Sequence, residues 1–318
     1  MLPHRTTPYQ FPAQDSLILE SCFSEPIIIK HEVWIFVECD SSNRMEFCVF
    51  DTKTREFAVK NYNLPDENVK LENLRGATSH GTDIYILCFS STEQLVIYKL
   101  DTVAKAWEVI MPIDGEVLPF GTIIIGDDLF KLDAEVLDEY DDEFISLTTF
   151  DLSKRVVKSH LLINQDLCLN SSQLMKFNKK LYFVSCNGER RIVSYIANGV
   201  VTKLADDEYD GPSRLISSML LVQRDENRVD LEMFDVTSLK WSKISLENDM
   251  VWSTCQAIEF IESSVYFFVR EQNANGEAKY NIRVLDLMPK LTDICLFNLI
   301  NDQTAIEKIW EKIPLPLR

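Results

Sequence analysis

The sequence predicts an all-β fold built from six repeated units, followed by a short helical tail. Three observations predict it. An Asp-centred turn recurs along the first 286 residues, and apolar runs suited to strands precede each copy. From Met288 to Arg318 the apolar residues instead recur at helical spacing.

Phe50-Asp51-Thr-Lys-Thr-Arg-Glu-Phe57 is echoed by Leu100-Asp101 to Trp107, by Phe150-Asp151 to Val157 and by Phe234-Asp235 to Trp241. A weaker copy stands at Leu285-Asp286, and Asn198-Gly199 supplies the remaining turn. The anchors at 51, 101, 151, 198, 235 and 286 are 50, 50, 47, 37 and 51 residues apart. An Asp at the start of a tight turn folds its carboxylate back onto the turn amides. Each copy therefore reads as a β-hairpin, with the apolar residue six positions after the Asp packing on the next sheet.

Upstream of each anchor lies another strand with an aromatic or aliphatic core. These are Val33–Phe36, Ile84–Leu87, Leu129-Phe130, Leu181–Val184, Met219–Val222 and Val265–Phe268, most of them entered through a short turn. Four strands per unit at this spacing is the blade of a β-propeller. The sixth unit runs from Asp286 directly into the tail, so Asp15–Glu20 is expected to supply its fourth strand and close the ring. The propeller is expected to span residues 1–287.

The turn Asp and the Trp six residues later resemble the kelch repeat. That resemblance implies a six-bladed kelch-like propeller. The kelch double glycine is absent: Cys88-Phe89 and Cys186-Asn187 stand in its place, and the chain has only nine glycines. WD-type and seven-bladed arrangements fit the same spacing.

In the tail, Leu291, Cys295 and Leu299 recur every fourth residue and form one apolar stripe on a helix. Thr304 and Glu307 have capping-box spacing ahead of Ile309 and Trp310. Pro314 and Pro316 then alternate with Ile313, Leu315 and Leu317 in a stiff extended segment. The arrangement resembles a SOCS box, the adaptor-docking module of substrate receptors in cullin–RING ubiquitin ligases. Leu291, Cys295 and Leu299 match its elongin-C-binding box, with Lys290 where the family prefers a small residue or Pro. Trp310, Ile313, Pro314, Leu315 and Pro316 match its cullin box, with Ile in place of Leu. The resemblance assigns residues 288–318 to a SOCS-box-like helical tail and implies elongin B/C and a cullin as partners.

Composition narrows the function. At 46% hydrophobic residues the 318-residue chain holds ample core. It has no run of 18 apolar residues and no signal-like start, which predicts a soluble protein of cytoplasm or nucleus with no membrane partner. The net charge of −18 argues against nucleic acid. From Met288 onward four basic and four acidic residues cancel, so the deficit belongs to the body. The eight cysteines show no C-x-x-C pair, and Cys48, Cys88 and Cys186 sit in apolar runs as reduced thiols do. The four histidines are isolated turn or terminal residues, with His31 and His80 expected at equivalent places in successive units. No motif for a nucleophile, a phosphate or a metal occurs, so neither catalysis nor a cofactor is expected.

Topology singles out one face. In an antiparallel four-stranded blade, the second-to-third and blade-to-blade connections emerge together. The acidic run Asp133 to Glu143, including Asp138, Glu139, Asp141 and Asp142, is expected in such a connection, as are Asp206 and Asp207. Arg190, Arg191, Arg224, Arg228 and Arg270 are expected in second-to-third loops of the same face. A rim acidic on one side and arginine-bearing on the other suits a peptide of mixed charge, while solvated loop charges, or a disordered acidic loop, fit the same residues. The expected function is the substrate-recognition subunit of an elongin–cullin ubiquitin ligase, with a protein or peptide substrate on the propeller. The alternative is a non-catalytic interaction scaffold with the tail packed on its own body.

Overall fold

Among the described residues of the computed structural model, twenty-four strands form six four-stranded antiparallel sheets. The structure describes residues 7–10, 26–37, 44–63, 74–90, 94–113, 121–136, 143–163, 172–177, 179–186, 190–208, 213–216, 219–225, 228–236, 238–247, 255–261, 264–272 and 278–286. The tail residues Leu291 to Pro316 lie outside them.

Sheet one is β2 (Ile27–Ile29), β3 (Glu32–Val37), β4 (Arg44–Asp51) and β5 (Phe57–Asn63). Sheet two is β6 (Leu74–His80), β7 (Asp83–Phe89), β8 (Leu95–Asp101) and β9 (Ala106–Ile113). Sheet three is β10 (Thr122–Ile125), β11 (Asp128–Val136), β12 (Glu143–Asp151) and β13 (Val156–Ile163). Sheet four is β14 (Ser172–Phe177), β15 (Lys180–Cys186), β16 (Arg190–Ala197) and β17 (Val200–Glu208). Sheet five is β18 (Ser213–Ile216), β19 (Met219–Asp225), β20 (Arg228–Asp235) and β21 (Lys240–Glu247). Sheet six is β22 (Cys255–Ile261), β23 (Ser264–Gln272), β24 (Ala278–Asp286) and, from the other end of the chain, β1 (Thr7–Gln10).

The sheets stand around a ring because second strands such as β3, β7 and β15 are buried on both faces. Along β3, Val33 and Ile35 meet Tyr266, Phe268 and Ile282 of sheet six, while Trp34 and Phe36 meet Ile84 and Ile86 of sheet two. That is the two-residue period of a strand used on both sides. Apolar clusters likewise join sheets two and three through Leu87 and Phe150, and three and four through Leu132 and Phe183. Val193 and Phe234 join four to five, and Leu231 and Phe267 join five to six. Burying each such side chain contributes about 1.5–3 kcal/mol. First strands pack on first strands toward the centre, where Ser79 donates to the Ile28 carbonyl at 2.6 Å and Lys176 to the Ile124 carbonyl at 2.9 Å. The result is an all-β propeller.

The ring closes between Thr7–Gln10 and Asn281–Val284. The closing strand does come from the N-terminal region, but from Thr7–Gln10; Asp15–Glu20 lies outside the described residues. An outer strand has one free edge, which tolerates Pro8 in a way an inner strand would not.

The Asp turns fold as the repeat implies. The Asp51 carboxylate accepts the amides of Lys53 and Thr54 at 2.8 and 3.0 Å, and Asp101 accepts those of Val103 and Ala104 at 2.9 and 2.8 Å. The fourth residue after each Asp takes a left-handed conformation: Arg55, Lys105, Arg155 and Leu239, at φ of 55–60°. The residue after the Asp ties the turn to the first-to-second turn of its own sheet. Thr52 donates to the His31 carbonyl, Thr102 to that of Thr82 and Leu152 to that of Asp127. The residue six after the Asp pairs across the hairpin with the residue before it: Phe57 with Phe50, Trp107 with Leu100, Trp241 with Phe234. Those pairs join the clusters with the preceding sheet, not the next one, because that is the face on which the residue before the Asp lies. Finally, His31 is the second residue of its turn, whereas His80 ends β6 before Gly81, so the two histidines are not equivalent.

Candidate functional site: a charged rim and a cationic cleft

The rim carrying the second-to-third and sheet-to-sheet connections gathers several of the charges read from the sequence. Arg190 and Arg191 are residues of β16 rather than of a loop, and Asp206 and Asp207 are residues of β17, opposite Ile192 and Arg191. Acid and arginine are therefore interleaved here, and they neutralise one another. Arg190 Nε donates to Asp206 Oδ1 at 3.0 Å and its Nη2 to Oδ2, while Lys203 Nζ donates to Oδ2 at 2.6 Å. Lys203 and then Arg190 hold the Asp206 carboxyl below its ordinary range.

Arg191 bridges sheets four and five. Its Nη1 donates to Glu232 Oε2, its Nε lies 3.7 Å from Asp207 Oδ2, and its guanidinium stands 4.6 Å from the Trp241 ring centroid. The planar guanidinium suits both the carboxylate and the ring face. Glu232 is 4% exposed, so this pair is part of the seam, whereas Arg190 and Asp207 are about half exposed and accessible to a partner.

Arg224 lies near the end of β19, Arg228 begins β20 and Arg270 lies in β23, so these three also belong to strands at the same rim. Asp138, Glu139, Asp141 and Asp142 lie outside the described residues. Asp133, expected in the acidic loop, is instead buried within β11 beside a fully buried Lys131, at 2.8 Å. A Lys inside Leu129-Phe-Lys-Leu132 was the signal available for that pair. Also on this rim, the Arg75 guanidinium stands 5.0 Å from the Phe89 ring centroid, a contact the sequence did not suggest.

Sequence reasoning also missed a cleft of about 670 Å³ between sheets one and two, on the opposite face, where the tight turns emerge. Lys60 lies 4.2 Å from the Trp34 ring centroid and donates to both Glu32 oxygens at 2.9 Å. Glu32 also accepts from Trp34 Nε1 at 3.0 Å. The Tyr62 phenol is pushed up by burial and then by the Glu32 charge. Lys30, His31 and Lys105 complete its basic lining.

Among the described residues, no group of three or more His, Cys, Asp or Glu is placed to hold a metal ion, and no helix is long and apolar enough to cross a membrane. No family model matches the chain, and no curated protein matches it. It is similar to solved structures at low identity. One is an acylaminoacyl peptidase of Pyrococcus horikoshii, at 10% identity and a TM-score of 0.45 over 84% of this chain and 45% of that one. The chain thus spans less than half the length of that peptidase. Another is the β-propeller domain of the trilobed protease from Pyrococcus furiosus, at 11% identity and a TM-score of 0.43 over 82% and 81% of the two chains. TolB from Acinetobacter baumannii gives 12% identity and a TM-score of 0.43 over 80% and 81%.

Proposed function

We propose that the chain is a six-bladed kelch-like propeller that binds a protein or peptide and presents it to a ubiquitin ligase through its tail. The observation that carries this reading is the self-contained closure of the ring. β1 completes sheet six, so no sheet needs a strand from beyond Asp286. Residues 288–318, with their SOCS-box-like spacing, are then left for a partner. Leu291 would fill a pocket on elongin C, Cys295 would permit close approach of the helix and Leu299 would extend the stripe. Trp310 and Ile313 to Pro316 would meet the cullin. The protein itself makes no bond in this reading; transfer belongs to a recruited conjugating enzyme, in cytoplasm or nucleus.

The substrate surface is the rim of sheets four to six. Arg190 offers a guanidinium that can exchange its internal carboxylate for one on a peptide, and Asp207 offers an acceptor for a basic residue.

A pull-down with purified elongin B/C tests the proposal, comparing the intact chain with a Leu291→Ala, Cys295→Ala double variant. Retention of elongin by the intact protein, lost in a variant with an unchanged melting profile, is the expected result. Failure of the folded intact protein to retain elongin would overturn it and leave the interaction-scaffold reading.

A further inference from the structure

Two seams between sheets are bridged on the tight-turn face by one repeated position, the fourth residue after the turn Asp. Arg55 of sheet one donates to both oxygens of Asp286 in sheet six, at 3.2 and 3.0 Å. Arg155 of sheet three donates to Glu108 and to the Val109 carbonyl of sheet two. Lys105 holds the same place in sheet two, in the same left-handed conformation at φ 55°. Of the two kinds of partner, the acid seven residues after the preceding turn Asp is absent, since Ala58 stands where Glu108 does. The preceding turn Asp, Asp51, is engaged by the Lys53 and Thr54 amides and lies 3.3 Å from His31.

At this seam the ring opens into the cleft between sheets one and two, and Lys105 lines it. Lys30 faces the same cleft from the first-to-second turn of sheet one, at φ 57°. Neither Lys30 nor Lys105 makes an ion pair among the described residues. Glu32, the acid lining the cleft, is already engaged by Lys60 and Trp34. Two exposed ammonium groups without an ion pair among the described residues, in a chain of net charge −18, are a local reversal of sign. Beside them lie apolar contacts, Val59 and the 76%-exposed Val103. The wall between them is β5, an outer strand that pairs only with β4 among the described residues and whose other edge can take an extended chain.

We infer that this cleft is a second docking site, for an extended acidic peptide segment of a partner protein. Its carboxylates meet Lys30 and Lys105, and an aliphatic side chain between them meets Val59 and Val103. The site lies on the face opposite the charged rim and does not depend on the ligase reading.

The test is selection of linear peptides displayed on phage against the full chain, followed by fluorescence anisotropy with the synthesised consensus peptide. Enrichment of Asp- and Glu-rich sequences with interspersed aliphatic residues is expected. A Lys30→Glu, Lys105→Glu variant should weaken the consensus peptide by about tenfold or more, while Arg190→Glu on the rim leaves it unchanged. Val103→Glu, at an exposed turn position, gives the same loss through an independent substitution. No enrichment above background overturns the inference. So does enrichment of neutral or basic sequences, or binding insensitive to both cleft variants.

Discussion

Asp51, Asp101 and Asp151 hold their turns as anions. Thr54 and Lys53 amides lower the Asp51 carboxyl, Ala104 and Val103 amides lower Asp101, and the Ser153 hydroxyl with Lys154 lowers Asp151. A carboxyl lowered by folding binds fewer protons than its unfolded counterpart. Its contribution is therefore present above the ordinary carboxylate range and is lost progressively as pH falls from there through the lowered folded value. Urea midpoints should drop steadily as pH falls below about 5, and an Asp51→Asn, Asp101→Asn variant should show a shallower drop. An identical pH profile would remove these turns from the explanation. Cys48 behaves in the opposite sense, because burial pushes its thiol up to about 12. Above the ordinary thiol value of 9.0 the unfolded thiol ionises while the folded one stays protonated, so stability falls as pH rises toward 12. At neutral pH, peptide mapping after alkylation should find Cys48, Cys88 and Cys186 unmodified until denaturant is added. In the same core, Phe47 meets Trp34, Phe36 and Tyr62 at ring distances of 4.6–5.8 Å. Phe47→Ala should cost about 3–5 kcal/mol in urea unfolding.

At the scale of elements, the hairpins were readable because an Asp that caps turn amides leaves a spaced signature. What the sequence hid follows from physics that residue type does not announce. Arg55, Lys105, Arg155 and Leu239 carry positive φ without being Gly or Asn, since the capped turn over-determines them. Which neighbour receives Trp107 and Trp241 depends on strand parity. The closing strand was sought in the apolar run Asp15–Glu20, but outer strands here need little apolar content: most of β13 is exposed, and β1 includes Pro8. Deleting residues 1–10 should expose the edge of β24, so that amides of Asn281–Val284 lose hydrogen-exchange protection while those of β8 keep theirs. Unchanged protection in β24 would mean that another segment closes the ring. Arg55→Gln, at an exposed pair, should cost no more than about 1 kcal/mol.

For the whole molecule, charge is the dominant long-range term. A body carrying −18 repels itself over tens of ångströms, whereas its close ion pairs act within 4 Å. Salt screens the first far more than the second, as the Debye length shrinks from about 30 Å at 0.01 M to about 10 Å at 0.1 M. The Tm should rise over that range of NaCl; a fall would show that local pairs outweigh the net repulsion. The propeller was legible because repetition multiplies a weak signal. The site was less so: the pairing of Arg190 and Arg191 with Asp206 and Asp207 depends on cross-strand register, and the cleft depends on an acid present in one copy of a repeat and replaced by Ala58 in another. Closure through β1 also has a consequence in time. Gln10 leaves the ribosome about 270 residues before Asn281, its partner, and at roughly 5–20 residues per second that is an interval of roughly 15 to 55 seconds. For that interval every completed sheet belongs to an open arc with two bare ends. The strand made early is the last to find its place, and the finished ring exists only once both ends of the propeller are free of the ribosome.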